Sequence, residues 1–214
     1  MSLSRAAERL RMPLGEAIFT QRAIRRLKPD PISDADLELI LAAAARAPSG
    51  GNLQPWRFVV VRDPDLKQKL AEYYVEAWWH RRSAQGITRP EHMPKNNSSG
   101  QAALHFTTDA RNYSRAAVLI VVCNVSRADN VMTACQNLML AARALGMGST
   151  ITRLGEPVDE RVHSLLGIPT GVDADYCIPL GYAEGHFGPA QRKPLQELAF
   201  LDAYGTPGPW HLQP

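Results

Sequence analysis

With 214 residues, 45% of them hydrophobic and 21% charged, the chain is long enough to bury one sizeable core and carries no compositional mark of disorder. A net charge of +3, with the lysines and arginines spread along the chain, is too mild for a nucleic-acid partner. No apolar run approaches the roughly 20 residues that span a bilayer, and the charged stretch from Met1 to Leu14 lacks the apolar centre of a leader peptide. Cys123, Cys135 and Cys177 are odd in number, far apart and set in apolar or helical contexts, so they read as buried free thiols without zinc spacing. The expectation is a single-domain, soluble, cytoplasmic protein over residues 1–214 with no membrane and no metal.

In chain order, Leu14, Ala17 and Ile18 form a short apolar stripe at helical spacing between Pro13 and Thr20. The run from Gln21 to Pro29 comes next, with Arg22, Arg25 and Arg26 flanking a buried-looking Ile24. Clustered guanidiniums suit a phosphate; a solvated charged face is the plainer reading. Ser33 is a good N-cap with Asp34 and Asp36 in the first turn, and Leu37, Ile40, Leu41, Ala44 and Ala45 lay one face of a helix on a core until Pro48. The stretch from Ala47 to Phe58 joins this helix to an apolar strand predicted over Trp56–Val61. Gly50 and Gly51 allow positive φ, while Ser49, Asn52 and Gln54 offer groups that both donate and accept, suited to the rim of a planar heteroaromatic ligand. A plain connecting loop is the alternative.

A helix is predicted from Asp65 to Tyr74. The passage 77–113, with Trp78 and Trp79 followed by a segment rich in Pro, Gly, Asn and Ser, reads either as a lid over a flat pocket or as a loose insertion with its tryptophans in the core. Ala116 to Val125 has the composition of a strand buried on both faces. Asp129 to Leu145 reads as a helix whose small residues permit close packing, in the centre of the fold or at a dimer interface. A short strand through Thr152, a helix from Glu160 to Leu166 closed by Gly167, and a strand from Tyr176 to Tyr182 complete the pattern. Pro179 lacks an N–H, which predicts a bulge or an edge position for that last strand. No Gly-x-Gly-x-x-Gly follows a strand, which argues against a Rossmann nicotinamide site.

Ala-Pro-Ser-Gly-Gly-Asn-Leu-Gln-Pro-Trp from Ala47 to Trp56 resembles the signature of the nitroreductase-like flavoproteins. So do the basic segment at Arg22 to Arg25, the Gly146-to-Thr152 turn and strand, and the basic pair Arg192-Lys193 before Pro194 and Leu195. The resemblance runs from about Leu14 to Leu198. It implies an α+β nitroreductase-like fold, a central mixed, mostly antiparallel sheet flanked by helices, in a dimer. It also implies FMN, with NAD(P)H as reductant and a nitroaromatic, quinone or similar conjugated acceptor in a ping-pong cycle.

By position, Arg22 and Ala23 fall at the phosphate side, and Arg25 near N1 and O2 of the ring. Pro48, Ser49, Gly50, Asn52 and Gln54 line its rim, and Thr152, Arg153 and Leu154 present backbone N–H groups to N5 and O4. Arg192 or Lys193 returns to the phosphate. The chain departs from the pattern at Gln21, where Arg is frequent, at Ala23, where Ser is frequent, and at Arg153. The flavin performs the chemistry, so no catalytic side chain is required. A flavin carrier or sensor without turnover, a reductive dehalogenase and a flavin-consuming enzyme are the alternatives; for a dehalogenase Glu72, Tyr73 and Lys95 match poorly. Because the signature groups lie on separate segments, a homodimer is expected, with the C-terminal extension 199–214 wrapping a partner and the site shared between subunits.

Overall fold

The strand read as buried on both faces is the one around which the sheet is built. In the computed structural model, which describes residues 8–126 and 131–211, β1 (Trp56–Val61) and β5 (Asp173–Tyr182) flank β2 (Val118–Asn124), and β3 (Met147–Ser149) and β4 (Thr152–Arg153) both pair with β5 on its far side. Every ladder is antiparallel. The two-residue period of a strand separates the layers. Val118, Ile120 and Val122 pack with Ile178 and Leu180 against one set of helices, while Leu119, Val121 and Cys123 pack with Cys177 against another.

The helices bear out that division. α1 (Leu14–Thr20), α2 (Asp34–Ala44) and α6 (Met132–Ala144) lie on the first face; α3 (Pro64–Ser83), α4 (Ser98–Thr107), α5 (Ala110–Ser114) and α7 (Asp159–Leu166) serve the second. Ser33 caps α2 by accepting from the Asp36 N–H at 3.1 Å, as its sequence predicts. Ala134, Cys135, Leu138, Ala141 and Ala142 of α6 are buried within this chain, which makes α6 a central helix. Asp129, at the expected start of that helix, lies outside the described residues, as do 1–7 and 212–214.

The structure alters three local expectations. The helix from Asp65 continues to Ser83 because nothing breaks it after Tyr74 and its buried face goes on through Ala77 and Trp78. Much of the segment between Ser83 and β2 is also helical: Asn97 caps α4 by accepting from Gly100 N–H (2.8 Å), and Asp109 caps α5 by accepting from Arg111 N–H (2.9 Å). Phe106 and Tyr113 from these helices enter the core, with Tyr113 stacked on Tyr74 at 4.5 Å between centroids. Finally, β5 is an interior strand despite Pro179. Ser149 pairs with Leu180 and Thr152 with Cys177, so Ile178 and Pro179 lie opposite the break between β3 and β4. A register shift does occur in β5, between its pairings with Val122 and Asn124. All three cysteines are free and buried, and burial pushes the Cys135 and Cys177 thiols up to about 12. Among the described residues no helix is long and apolar enough to cross a membrane.

Candidate functional site

The basic segment is fixed by its backbone. Ile24 N–H donates to Ser149 O at 3.0 Å beside a parallel bridge from Ala23 to Ser149, and Leu27 bridges Ala183. Gly148 permits this approach: a Cβ there would lie 2.7 Å from Ile24 Cγ2. Arg22 and Ala23 are thereby left exposed and Arg25 half-buried. Arg25 has Tyr74 and Arg22 as its electrostatic neighbours, and burial lowers its pKa. Neither Arg22 nor Arg25 has a carboxylate partner among the described residues. Burial raises Tyr74 to about 12, against the pull of Arg25, Arg81 and Arg82.

Tyr74 joins this segment to β4. The ring it stacks on, Tyr113, shares a buried hydrogen bond with Thr152 Oγ1 (2.7 Å), and the Thr152 hydroxyl lies 2.6 Å from Cys177 O, which accepts from it. Arg81, from the last turns of α3, donates to Arg153 O at 2.8 Å and to Leu154 O at 2.6 Å. Thr152 and Leu154 are buried, whereas the Arg153 side chain is exposed. A cleft of about 490 Å³ beside β4 is lined by His80, Arg81, Arg153, Gly155, Glu156 and Asp159.

The loop after α2 is held differently. Pro48 O accepts from Thr133 Oγ1 at 3.1 Å, which ties its start to α6. Ser49 Oγ accepts from the Gln54 N–H at 2.9 Å, and Asn52 Oδ1 accepts from Gln54 Nε2 at 3.1 Å. Positive φ occurs at Gly51, Asn52 and Gln54, not at Gly50 as the sequence led us to expect. Two non-glycine residues thus hold left-handed backbone on an exposed rim, a conformation that costs free energy and recurs at ligand sites. Leu53 at the tip is 56% exposed.

Arg192 and Lys193 are exposed; Arg192 donates to Gln191 O at 3.1 Å and Lys193 pairs with Glu197 at 3.4 Å. Earlier in this tail, Phe187 lies under the Arg143 guanidinium at 4.1 Å, while Arg143 also bonds Thr20 and Glu16. The fold therefore brings Arg22, Ala23 and Arg25 to the end of the sheet that carries Thr152, Arg153 and Leu154. Among the described residues, no hydrogen bond or ion pair links the Ser49–Gln54 loop or the Arg192–Lys193 pair to that group. Tyr74, Arg81, Tyr113 and Ser149 escape sequence reasoning, since they serve the site only through contacts distant in the chain.

Two features state what this arrangement can hold. A desolvated cation without an acid calls for an anion, and Leu154 and Gly155, both buried, have N–H groups that no hydrogen bond among the described residues uses. An anionic tail with a planar ring carrying acceptors along one edge fits both. Among the described residues no group of His, Cys, Asp and Glu could hold a metal ion.

The sequence profile of the Nitroreductase family matches residues 18–182. A protein of Archaeoglobus fulgidus, provisionally named an NADH dehydrogenase/NAD(P)H nitroreductase, is 34% identical over 168 residues, covering 77% of this chain and 82% of that protein. The NADH dehydrogenase of Thermus thermophilus is 31% identical over 85% of this chain and 92% of its own length. Among solved structures, oxidised iodotyrosine deiodinase bound to FMN and 3-iodo-L-tyrosine superposes with a TM-score of 0.68 at 23% identity, over 91% of this chain and all of that one (100%).

Proposed function

The chain belongs to the nitroreductase family, and on that premise we propose that it is an FMN-dependent oxidoreductase that draws electrons from NAD(P)H and passes them to a nitroaromatic, quinone or similar conjugated acceptor. The observation that carries this reading is Arg25, half-buried beside Arg22 with no acid among its described neighbours. When bound, FMN would supply the two-electron redox chemistry between NAD(P)H and the second substrate. Arg22 would hold the phosphate, and Arg25 would meet the pyrimidine edge of the ring, where its positive charge would favour the reduced form. Ser49, Asn52 and Gln54 orient the ring from the loop, with Pro48 and Gly50 setting its entry, and the backbone of Thr152, Arg153 and Leu154 meets the opposite edge. Arg192 or Lys193 would supply a further contact to the phosphate.

A homodimer completes the site. Leu14, Ile18 and Phe19 are exposed at 70%, 49% and 67% on a helix whose apolar stripe finds only Ala17 buried in its own chain, a surface that a second copy covers. Among the described residues no hydrogen bond or ion pair joins the loop to Arg22 or Arg25, in keeping with a pocket shared across subunits. Of the groups that a dehalogenase would need, Glu72 bonds Gln68 and Lys69, and Tyr73 lies under Arg161.

The purified protein should bind FMN with a flavin absorbance that bleaches with NADH or NADPH and recovers with a quinone. Pigment released by heat should chromatograph as FMN; FAD, or no flavin after reconstitution, overturns the reading. Bleaching without turnover in the presence of acceptors would leave a flavin carrier. For the shared site, a heterodimer of an Asn52→Asp chain and an Arg22→Glu chain should regain about half of the FMN and activity that each variant lacks alone.

A further inference from the structure

The hydrogen bonds on β4 carry an inference about α3. In an extended strand successive carbonyls point to opposite sides, yet Arg153 O and Leu154 O both accept from the single guanidinium of Arg81, at 2.8 and 2.6 Å. The chain turns here, and Gly155 carries φ +71°. In a trans peptide the N–H points away from the C=O of the same plane. The peptide groups whose oxygens Arg81 holds are those whose nitrogens belong to Leu154 and Gly155. Both N–H groups therefore point away from Arg81, side by side, in the concave donor pair that successive backbone amides form for an anion. No hydrogen bond among the described residues uses either of them.

We propose that Arg81 is a positioning residue for FMN: by gripping the Arg153 and Leu154 carbonyls it locks the Leu154 and Gly155 N–H groups toward the ring and polarises them as donors. This rests on the FMN reading above. A cation on the oxygen side of a peptide draws electron density from its nitrogen and strengthens the hydrogen bond the N–H donates. The effect is greatest on the more negative partner, so Arg81 selects the reduced ring over the oxidised one. Thr152 steadies the same strand from its other end, through Tyr113 and Cys177 O.

Arg81→Met removes the charge and keeps most of the volume; Arg81→Lys keeps the charge but cannot fork. Arg82→Met is the control, since Arg82 lies over the Trp78 ring and bonds Gln85. The preference for reduced over oxidised FMN, read from the midpoint potential of the bound flavin, should fall about tenfold in Arg81→Met, the size of part of a charge-assisted hydrogen bond. It should fall less in Arg81→Lys and stay unchanged in Arg82→Met. In the apoprotein, amide exchange at Leu154 and Gly155 should change in Arg81→Met and not in Arg82→Met.

A wild-type potential in Arg81→Met, with FMN bound, overturns the inference, as does an equal fall in Arg82→Met. If Arg81→Met does not fold, the potential of Arg81→Lys decides alone: a wild-type value rejects the clamp. Failure of the wild-type protein to bind FMN defeats the functional reading instead, and the apoprotein amides then still report whether Arg81 orders the turn.

Discussion

The two rims of the proposed site are built on opposite principles. The inner rim, from Arg22 through β3 and β4, is bound into one chain: Ile24 is pinned to Ser149, Thr152 to Tyr113 and Cys177, and the carbonyls after it to Arg81. The outer rim, Ser49 to Gln54, holds mainly to itself, through Gln54 bonding Ser49 and Asn52, and is exposed with left-handed backbone at three successive or near-successive positions. Rigid donors suit the edge of a ring whose charge changes during turnover, because orientation set in advance costs nothing when the charge develops. A loop bonded mainly within itself suits a surface completed by a ligand or a second subunit. Substitutions in the packing behind the inner rim should accordingly act first through stability, and those on the outer rim first through binding.

The largest expected effect is at Tyr113. The ring is fully buried between Tyr74 and Phe106 and its hydroxyl is shared with Thr152. Tyr113→Ala should cost about 3–5 kcal/mol of stability in urea denaturation through the cavity it leaves. Tyr113→Phe, which removes only the hydrogen bond while Thr152 keeps Cys177 O, should cost about 1 kcal/mol. Equal losses for the two would mean that the hydroxyl, and not the aromatic packing, anchors β4.

Tyr113 also marks where sequence reading stops. The ends of β1 and the cap of α2 follow from local chemistry: a β-branched run between turn residues, and a serine that accepts from the N–H three residues on. The inward alternation of β2 is equally legible, because both layers of the core are written into one strand. Tyr113 sits just beyond a polar stretch whose Asn97 and Asp109 read as loop residues but act as helix caps. The site shows the same divide. Arg22, Arg25 and the Ser49–Gln54 loop stand out through their resemblance to a family signature, since by residue type alone they also read as a solvated face and an ordinary turn, whereas Arg81 is one more cation near a helix C-terminus, and its bonds to Arg153 and Leu154 depend wholly on how α3 crosses β4.

A smaller loss is expected at the seam between the arginine segment and β3. In Gly148→Ala the new methyl would lie 2.7 Å from Ile24 Cγ2 and 2.8 Å from Ile24 Cβ, and relieving that overlap should cost about 1–3 kcal/mol. Because Ile24 lies between Arg22 and Arg25, FMN affinity measured by flavin fluorescence should fall with stability. Unimpaired affinity in a destabilised protein would separate the segment's packing from its part in the site. On the outer rim, Ser49→Ala removes an exposed acceptor for the Gln54 N–H at 2.9 Å and should cost only about 0.5 kcal/mol, with a proportionally larger loss in FMN affinity. A stability cost equal to that of Gly148→Ala would erase the distinction between the rims.

The smallest effect is a dependence on pH that belongs to the inner rim alone. His105 in α4 is pushed below its ordinary pKa, first by burial and then by the Arg26 and Arg115 cations, with Glu184 and Asp109 opposing them. A histidine whose folded pKa lies below its unfolded value of about 6.5 binds its proton more readily in the unfolded chain. Its contribution to stability is therefore fully present above that value and is lost as pH falls toward and through the folded pKa. Urea denaturation of the wild type and of His105→Gln, each at pH 8 and pH 5.5, isolates the effect, because the other titrating groups are common to both proteins. The wild type should lose slightly more stability on acidification than the variant does. Arg26 is the residue through which this touches the site, since its carbonyl accepts from Glu184 N–H at 2.9 Å just beyond Arg25. Ser49→Ala should leave the pH difference unaltered, and a matching change there would mean that the two rims share their electrostatics after all.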